Sequence, residues 1–141
     1  MASKEYNYAV GRRKETTATI KLFSKGKGEF IVKSANSEKD KTLKEYFGGN
    51  HYLYENSIKA FEVLGNNMLT QFDAEISIKG GGISGQADAI KLGFARALID
   101  RNSEFRLSLK PFGLLKRDPR IKERKKPGLK KARKGPTRSK R

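Results

Sequence analysis

Between Lys110 and Arg141 the chain carries 15 basic residues and only two acidic ones, Asp118 and Glu123, a net charge of +13 in 32 residues. Such a segment repels itself and holds too few apolar side chains to offset the entropy of ordering. It is expected to be extended and to require a polyanion to take shape. The first 109 residues hold 17 basic and 13 acidic residues, nearly balanced at +4, so the chain of +17 divides into a domain over 1–109 and a cationic tail over 110–141. A charge of this size exceeds what solubility asks for. Arg and Lys in the tail alternate with Pro, Gly and small residues, which suits a chain lying along a groove. No aromatic residue lies beyond Phe112, so base stacking cannot dominate there and phosphate contact must. Neutralising six to ten phosphates would make affinity fall by roughly 10³- to 10⁵-fold between low and physiological salt.

Several function classes lose support at once. The chain has no Cys, which removes disulfides and thiolate metal sites. No apolar run approaches the ~18 residues of a membrane span, so no membrane partner is expected. The opening "MASKEYNYAVGRRK" lacks the apolar stretch of a signal peptide; the expected compartment is the cytosol, with an organelle the lesser alternative. The single histidine, His51, has no nucleophile beside it in any motif, and the carboxylates are scattered among lysines. Neither catalysis, a metal nor a cofactor is expected.

Periodicity within the first 109 residues points to a two-layer α+β domain in the order βββ-α-β-α, with a mainly antiparallel or mixed four-stranded sheet and helices on one face. "YNYAV" alternates Tyr6, Tyr8 and Val10 on one face, and "GRRKE" at 11–15 reads as a cationic turn. "TTATIKLF" places Ala18, Ile20 and Leu22 on one side; with "EFIVK" it reads as a hairpin over 16–33. A helix is expected from Thr42, stopped by Gly48 and Gly49. The stretch 50–65 reads as a helical turn followed by an extended piece around Ile58 to Leu64. "DAEISIK" turns Ala74, Ile76 and Ile78 inward. After it, Ile83, Ala87, Ile90, Phe94 and Ala97 or Leu98 follow helical spacing, with Asp88 and Arg96 opposite, and Leu92 and Ile99 suggest a helix covered on two sides. One more short helix is expected before Pro111.

"KGGGISG" ends the strand and opens that helix. Read literally, Gly80-x-Gly82-x-x-Gly85 is a dinucleotide fingerprint. A ribose-binding acid at the tip of a following strand is missing, however: Asp100 lies at the helix end, Glu104 in a polar break, and Pro111 and the tail follow. A phosphate loop fails because no Lys-Ser or Lys-Thr stands at the required spacing. Two readings remain for Gly80, Gly81 and Gly82. They permit a tight reversal and close helix–sheet approach, or their amides and the helix N-terminus meet an RNA phosphate. Arg12, Arg13 and Lys14, at a turn between strands, form a compact candidate phosphate clamp.

"GRRKE", "LKEYFGG", "KGGGISGQADAIKLGFARAL", "LLKRDPRIKERKKPGLKKARK" and the terminal "SKR", in this order, resemble the bacterial-type family of the ninth small-subunit ribosomal protein along nearly the whole chain. The resemblance implies an α+β domain seated on ribosomal RNA in the subunit head, with a left-handed crossover against the usual preference. It implies neighbouring small-subunit ribosomal proteins as partners. It implies that Arg117, Arg120, Arg124, Lys125, Lys126, Lys130, Lys131 and Arg133 follow ribosomal RNA, and that Ser139, Lys140 and Arg141 touch the anticodon stem-loop of transfer RNA in the peptidyl site. The chain departs from the family pattern in three places. Thr137 and Arg138 replace Gln-Phe, exchanging an aromatic ring for a charge. Asp88, Lys91 and Leu92 alter the polar side of the glycine helix. The loop at 34–42 is longer than usual.

Overall fold

Along Thr16–Ser24 every second side chain from Thr16 to Leu22 is buried and its neighbours are not, the signature of a strand with one face on a core. The computed structural model describes residues 5–34 and 39–138. Its strands are β1 (Tyr6–Arg13), β2 (Thr16–Ser24), β3 (Phe30–Ser34), β4 (Lys41–Thr42) and β5 (Phe72–Lys79); its helices are α1 (Leu43–Tyr46), α2 (His51–Leu64), α3 (Ile83–Arg101) and α4 (Phe105–Leu109). The expected α+β class holds, with five strands in place of four because two-residue β4 adds to β3. The order is β1-β2-β5-β3-β4, antiparallel except where β3 runs parallel to β5.

This order corrects the hairpin expected over 16–33. The hairpin is β1–β2, turning at Lys14 and Glu15, while β5 separates β2 from β3. The loop 25–29 carries the chain past β5 because Asp73 holds it there. One carboxylate oxygen, Oδ1 of Asp73, accepts from the backbone N–H groups of Lys27, Gly28 and Glu29 at 2.7, 3.0 and 2.9 Å. Gly26 donates to the Gln71 carbonyl at 2.9 Å. "SKGKG" is ordinary hairpin chemistry; the carboxylate that redirects it lies more than 40 residues later.

A second correction concerns 58–64, expected to be extended. It is the C-terminal half of α2, whose Ser57, Ile58, Ala60 and Phe61 are buried on one face. Asn50 caps the helix by accepting from the Leu53 N–H. α1 begins as expected after Thr42: its hydroxyl accepts from the Glu45 N–H and the Glu45 carboxylate accepts from the Thr42 N–H. The core centre is four phenylalanines, with Phe61 and Phe94 edge to face at 5.0 Å and Phe30 and Phe72 around them.

α3 lies against β1 and β2 along a stripe of small residues, Gly85, Ala89, Gly93 and Ala97, all buried at helical spacing. At Gly11 of β1 an added Cβ would collide with the Ala89 carbonyl oxygen and lie 2.6 Å from the Gly93 nitrogen. That close approach explains β1. Its inner face carries Ala9 and Gly11, and the larger Tyr6, Tyr8 and Val10 face away from the helices. The other side of α3 buries Leu92 and partly buries Ile99, as the two-sided covering required, whereas Ile83, expected inward, is 57% exposed. Leu114 and Leu115 pack on the core beyond α4. From Lys110 to Arg138 no helix or strand is found among the described residues.

Candidate nucleic-acid interface

The β1–β2 turn, the glycine turn and the root of the tail meet at one end of the domain. Lys14 sits at the turn with φ 51°. Gly80 and Gly81 follow β5 at φ 72° and 70°. A Cβ at Gly80 would stand 2.7 Å from the Glu15 carbonyl oxygen, and one at Gly81 would collide with the Thr16 hydroxyl. The Thr16 hydroxyl and the Gln86 amide donate to the Gly80 carbonyl at 3.2 and 3.3 Å. These two glycines therefore answer to the fold. Gly82 does not: its φ is −100° and an added Cβ meets nothing within 4 Å. It is the N-cap of α3 and no side chain caps the helix there. The 19-residue helix thus starts without a side-chain cap, with Gly82, Ile83 and Ser84 exposed at the same end of the domain as Lys14, an arrangement that favours an anion.

Arg12, Arg13 and Lys14 do not lie together on one surface. β-strand alternation sends Arg12 outward, where it is exposed, and Arg13 toward α3, where its side chain is 11% exposed. Arg13 there binds four groups of the same chain. Its Nε lies 3.3 Å from Asp88 Oδ2 and its Nη2 3.1 Å from Asp118 Oδ2. Its Nη1 donates to the carbonyls of Arg120 at 2.7 Å and Asp118 at 3.3 Å. Asp88 is joined to α2 as well: its Oδ1 accepts from Asn56 at 2.9 Å and from Lys91 at 3.1 Å, and Lys91 also donates to Asn56 at 2.9 Å. Burial pushes Asp88 up, but hydrogen bonds from Asn56, Lys91 and Arg13 outweigh it and hold the carboxyl below its ordinary pKa. The side-chain and backbone hydrogen bonds of Arg120 hold Asp118 well below the usual carboxylate range.

Around this knot lies a cleft of about 240 Å³ whose walls include Arg12, Lys91, Lys116, Arg117 and Arg120, with Asp88, Asp118 and Leu92. The structure thus brings Arg12 and Arg13 to Arg117 and Arg120, more than 100 residues later. Among the described residues, the other tail cations do not line this cleft. Glu123 engages Lys126 at 3.4 Å and Arg133 at 2.8 Å, and Lys130 donates to the Thr137 hydroxyl at 2.8 Å. Arg124, Lys125 and Lys131 are exposed, with no ion pair among the described residues. Ser139, Lys140 and Arg141 lie outside the described residues, as does 35–38 of the longer loop. Sequence reasoning missed Asn56, Asp88 and Lys91 as parts of the site. The unusual charges at 88 and 91 were the available signal; their partner on α2 had none. His51 is at the surface, 3.1 Å from Glu55.

A family model described as Ribosomal protein S9/S16 matches residues 11–141. The chain is 45% identical over 138 residues to Small ribosomal subunit protein uS9 of Thermus thermophilus, covering 97% of this chain and 99% of that protein. It is 41% identical over 132 residues to the protein of the same name from Mycoplasma mobile, covering 94% of each. Against Small ribosomal subunit protein uS9c of Emiliania huxleyi it is 48% identical over 133 residues, covering 94% of this chain and 95% of that protein. These relatives carry the names of ribosomal proteins, and the glycine turn here packs against Glu15 and Thr16. With the match spanning turn, glycine helix and tail alike, the chain belongs to the ribosomal protein S9/S16 family.

Proposed function

We propose that the chain is a structural, non-catalytic constituent of the small ribosomal subunit, holding ribosomal RNA of the head with its tail root and tail and supporting transfer RNA in the peptidyl site with its last residues. One observation carries the reading: Arg12, Lys116 and Arg117, drawn from both ends of the chain, line a single cleft with Arg120, whose guanidinium is paired with Asp118 at 2.7 Å. Arginine guanidinium groups grip phosphate oxygens in pairs and lose no net charge at neutral pH. Arg13 is held by the protein itself and positions the cleft. Beyond it, Arg124, Lys125 and Lys131 extend the cation path with Lys126, Lys130 and Arg133, whose intrachain partners are exposed and exchangeable for phosphate. The amides around Gly82 offer a further phosphate contact beside Lys14. Contact of Ser139, Lys140 and Arg141 with the anticodon stem-loop follows from the family resemblance of the terminal "SKR", as do neighbouring ribosomal proteins as partners.

The test has two arms on assembled subunits. Sucrose-gradient sedimentation of lysate should carry the chain with small subunits, and Arg12→Gln with Arg117→Gln should lower the slope of log K against log salt for ribosomal RNA by about 0.9 per lost duplex phosphate contact. An unchanged slope refutes the cleft. Subunits lacking Ser139 to Arg141 should assemble but retain peptidyl-site transfer RNA less well by filter binding; equal retention at several salt concentrations refutes the terminal contact.

A further inference from the structure

The face of the sheet turned away from the helices is not absorbed by the reading above. We propose that this face, along β1 and β2, is a second RNA surface that takes unpaired bases on Tyr6 and Tyr8 while Lys21, Arg12 and Lys79 neutralise the adjoining phosphates. The inference rests on the RNA reading and names a separate surface and a separate chemistry.

Tyr6 is 48% exposed and Tyr8 55%, neighbours on the outer face of the edge strand. A strand rise of about 3.4 Å per residue sets their attachment points roughly 7 Å apart, a spacing an extended, unstacked strand can follow. The register places Phe23 opposite Tyr6 and Lys21 opposite Tyr8. Tyr6 is steadied by Phe23, ring centroids 5.8 Å apart, and Lys21 holds its ammonium 5.3 Å from the Tyr6 centroid. A cation is therefore already stationed beside an exposed ring, which is the pairing a nucleotide needs. Toward the β1–β2 turn the outer positions are Val10, Arg12, Thr17, Thr19, Ser77 and Lys79, two cations and three hydroxyls beside one valine, without a carboxylate. The carboxylates gather at the other end, around a cavity beside Phe23 lined by Glu5, Glu29, Asp73 and Glu75; there Glu75 lies 3.3 Å from Lys33 and Asp73 holds the 25–29 loop. Rings interleaved with cations and hydroxyls favour a nucleotide strand over the contiguous apolar patch that a protein partner would want.

Stacking and charge separate cleanly by experiment. Binding of the full chain to an oligoadenylate is compared with binding to an abasic phosphodiester strand of equal length, at several salt concentrations. The wild type should prefer the oligoadenylate by roughly fivefold or more per stacked base. The Tyr6→Ala/Tyr8→Ala chain should bind both alike with an unchanged salt slope, and Tyr6→Phe/Tyr8→Phe should restore the preference. Because the Tyr6 ring also packs on Phe23, thermal midpoints are compared, and the single Tyr8→Ala chain, its ring 55% exposed, should lose part of the preference at an unshifted midpoint; an undiminished preference overturns the proposal. Binding of both strands without discrimination overturns this proposal alone. Failure to bind either strand, at any salt, overturns the RNA reading beneath it. In assembled subunits, cross-links from Lys21 and Lys79 to RNA support the surface; cross-links to another protein overturn it.

Discussion

Arg13 and Asp118 are 105 residues apart in sequence and 3.1 Å apart in space, guanidinium Nη2 to carboxylate Oδ2. The last residue of β1 thereby fixes where the tail leaves the domain. Since the same guanidinium also holds two tail carbonyls and Asp88, the tail root is tied to sheet and helix through one side chain.

Replacing Arg13 with Met should cost about 1–3 kcal/mol, the range for losing partly buried, charge-assisted hydrogen bonds. Asp88 keeps Asn56 and Lys91, so the lower half of that range is expected. Urea denaturation gives the loss. Amide exchange over 113–120 should accelerate while that of β2 and β5 does not; equal protection of the tail root would contradict the tie.

Acid should release the same contact. Asp88 and Asp118 are both held below their ordinary pKa, so the stability they contribute is fully present above the unfolded value of about 3.9 and lost as pH falls through the folded values. Tail-root protection factors, with the intrinsic pH dependence of amide exchange divided out, should be flat from pH 8 to about 5 and fall progressively below about 4. Loss of protection near neutrality would implicate other groups.

The glycines of the turn should respond unequally. Gly81→Ala meets Thr16 at a positive φ and should cost about 1–3 kcal/mol. Gly82→Ser sits in open space at the uncapped start of α3 and should be neutral or stabilising by about a few tenths of a kcal/mol. Thermal unfolding of the two variants decides the matter, and equal penalties would sink it.

Asp73→Ala should destabilise the domain by about 2–3 kcal/mol, because three backbone amides lose a charged acceptor. The loss should be concentrated in the loop 25–29 and the entry into β3, visible as faster exchange of their amides.

What the sequence made readable is what local period determines. Ala18, Ile20 and Leu22, and Ala74, Ile76 and Ile78, fell inward at every second position; Thr42 announced its helix through Glu45. What stayed hidden depended on partners far along the chain. Tyr6, Tyr8 and Val10 look like a core face, yet α3 approaches so near Gly11 that only small side chains fit beneath it. Ile58 to Leu64 is apolar enough for strand or helix, and the packing of Phe61 on Phe94 settles it as helix. At the candidate site, the cations of "GRRKE" and of the tail were conspicuous by type. That Arg13 would turn inward while Arg12 faces out required strand parity, and its acceptors required the fold.

The position of β5 has a consequence for how the chain is made. β2 and β3 emerge first, yet each must wait for a strand from residues 72–79 to fill the gap between them. A nascent or truncated chain ending before Phe72 therefore exposes two unsatisfied strand edges at once, the geometry that invites intermolecular pairing. Synthesis past Lys79 is the point of no return: only then can the two halves of the sheet become one, and only afterwards does the polycation appear.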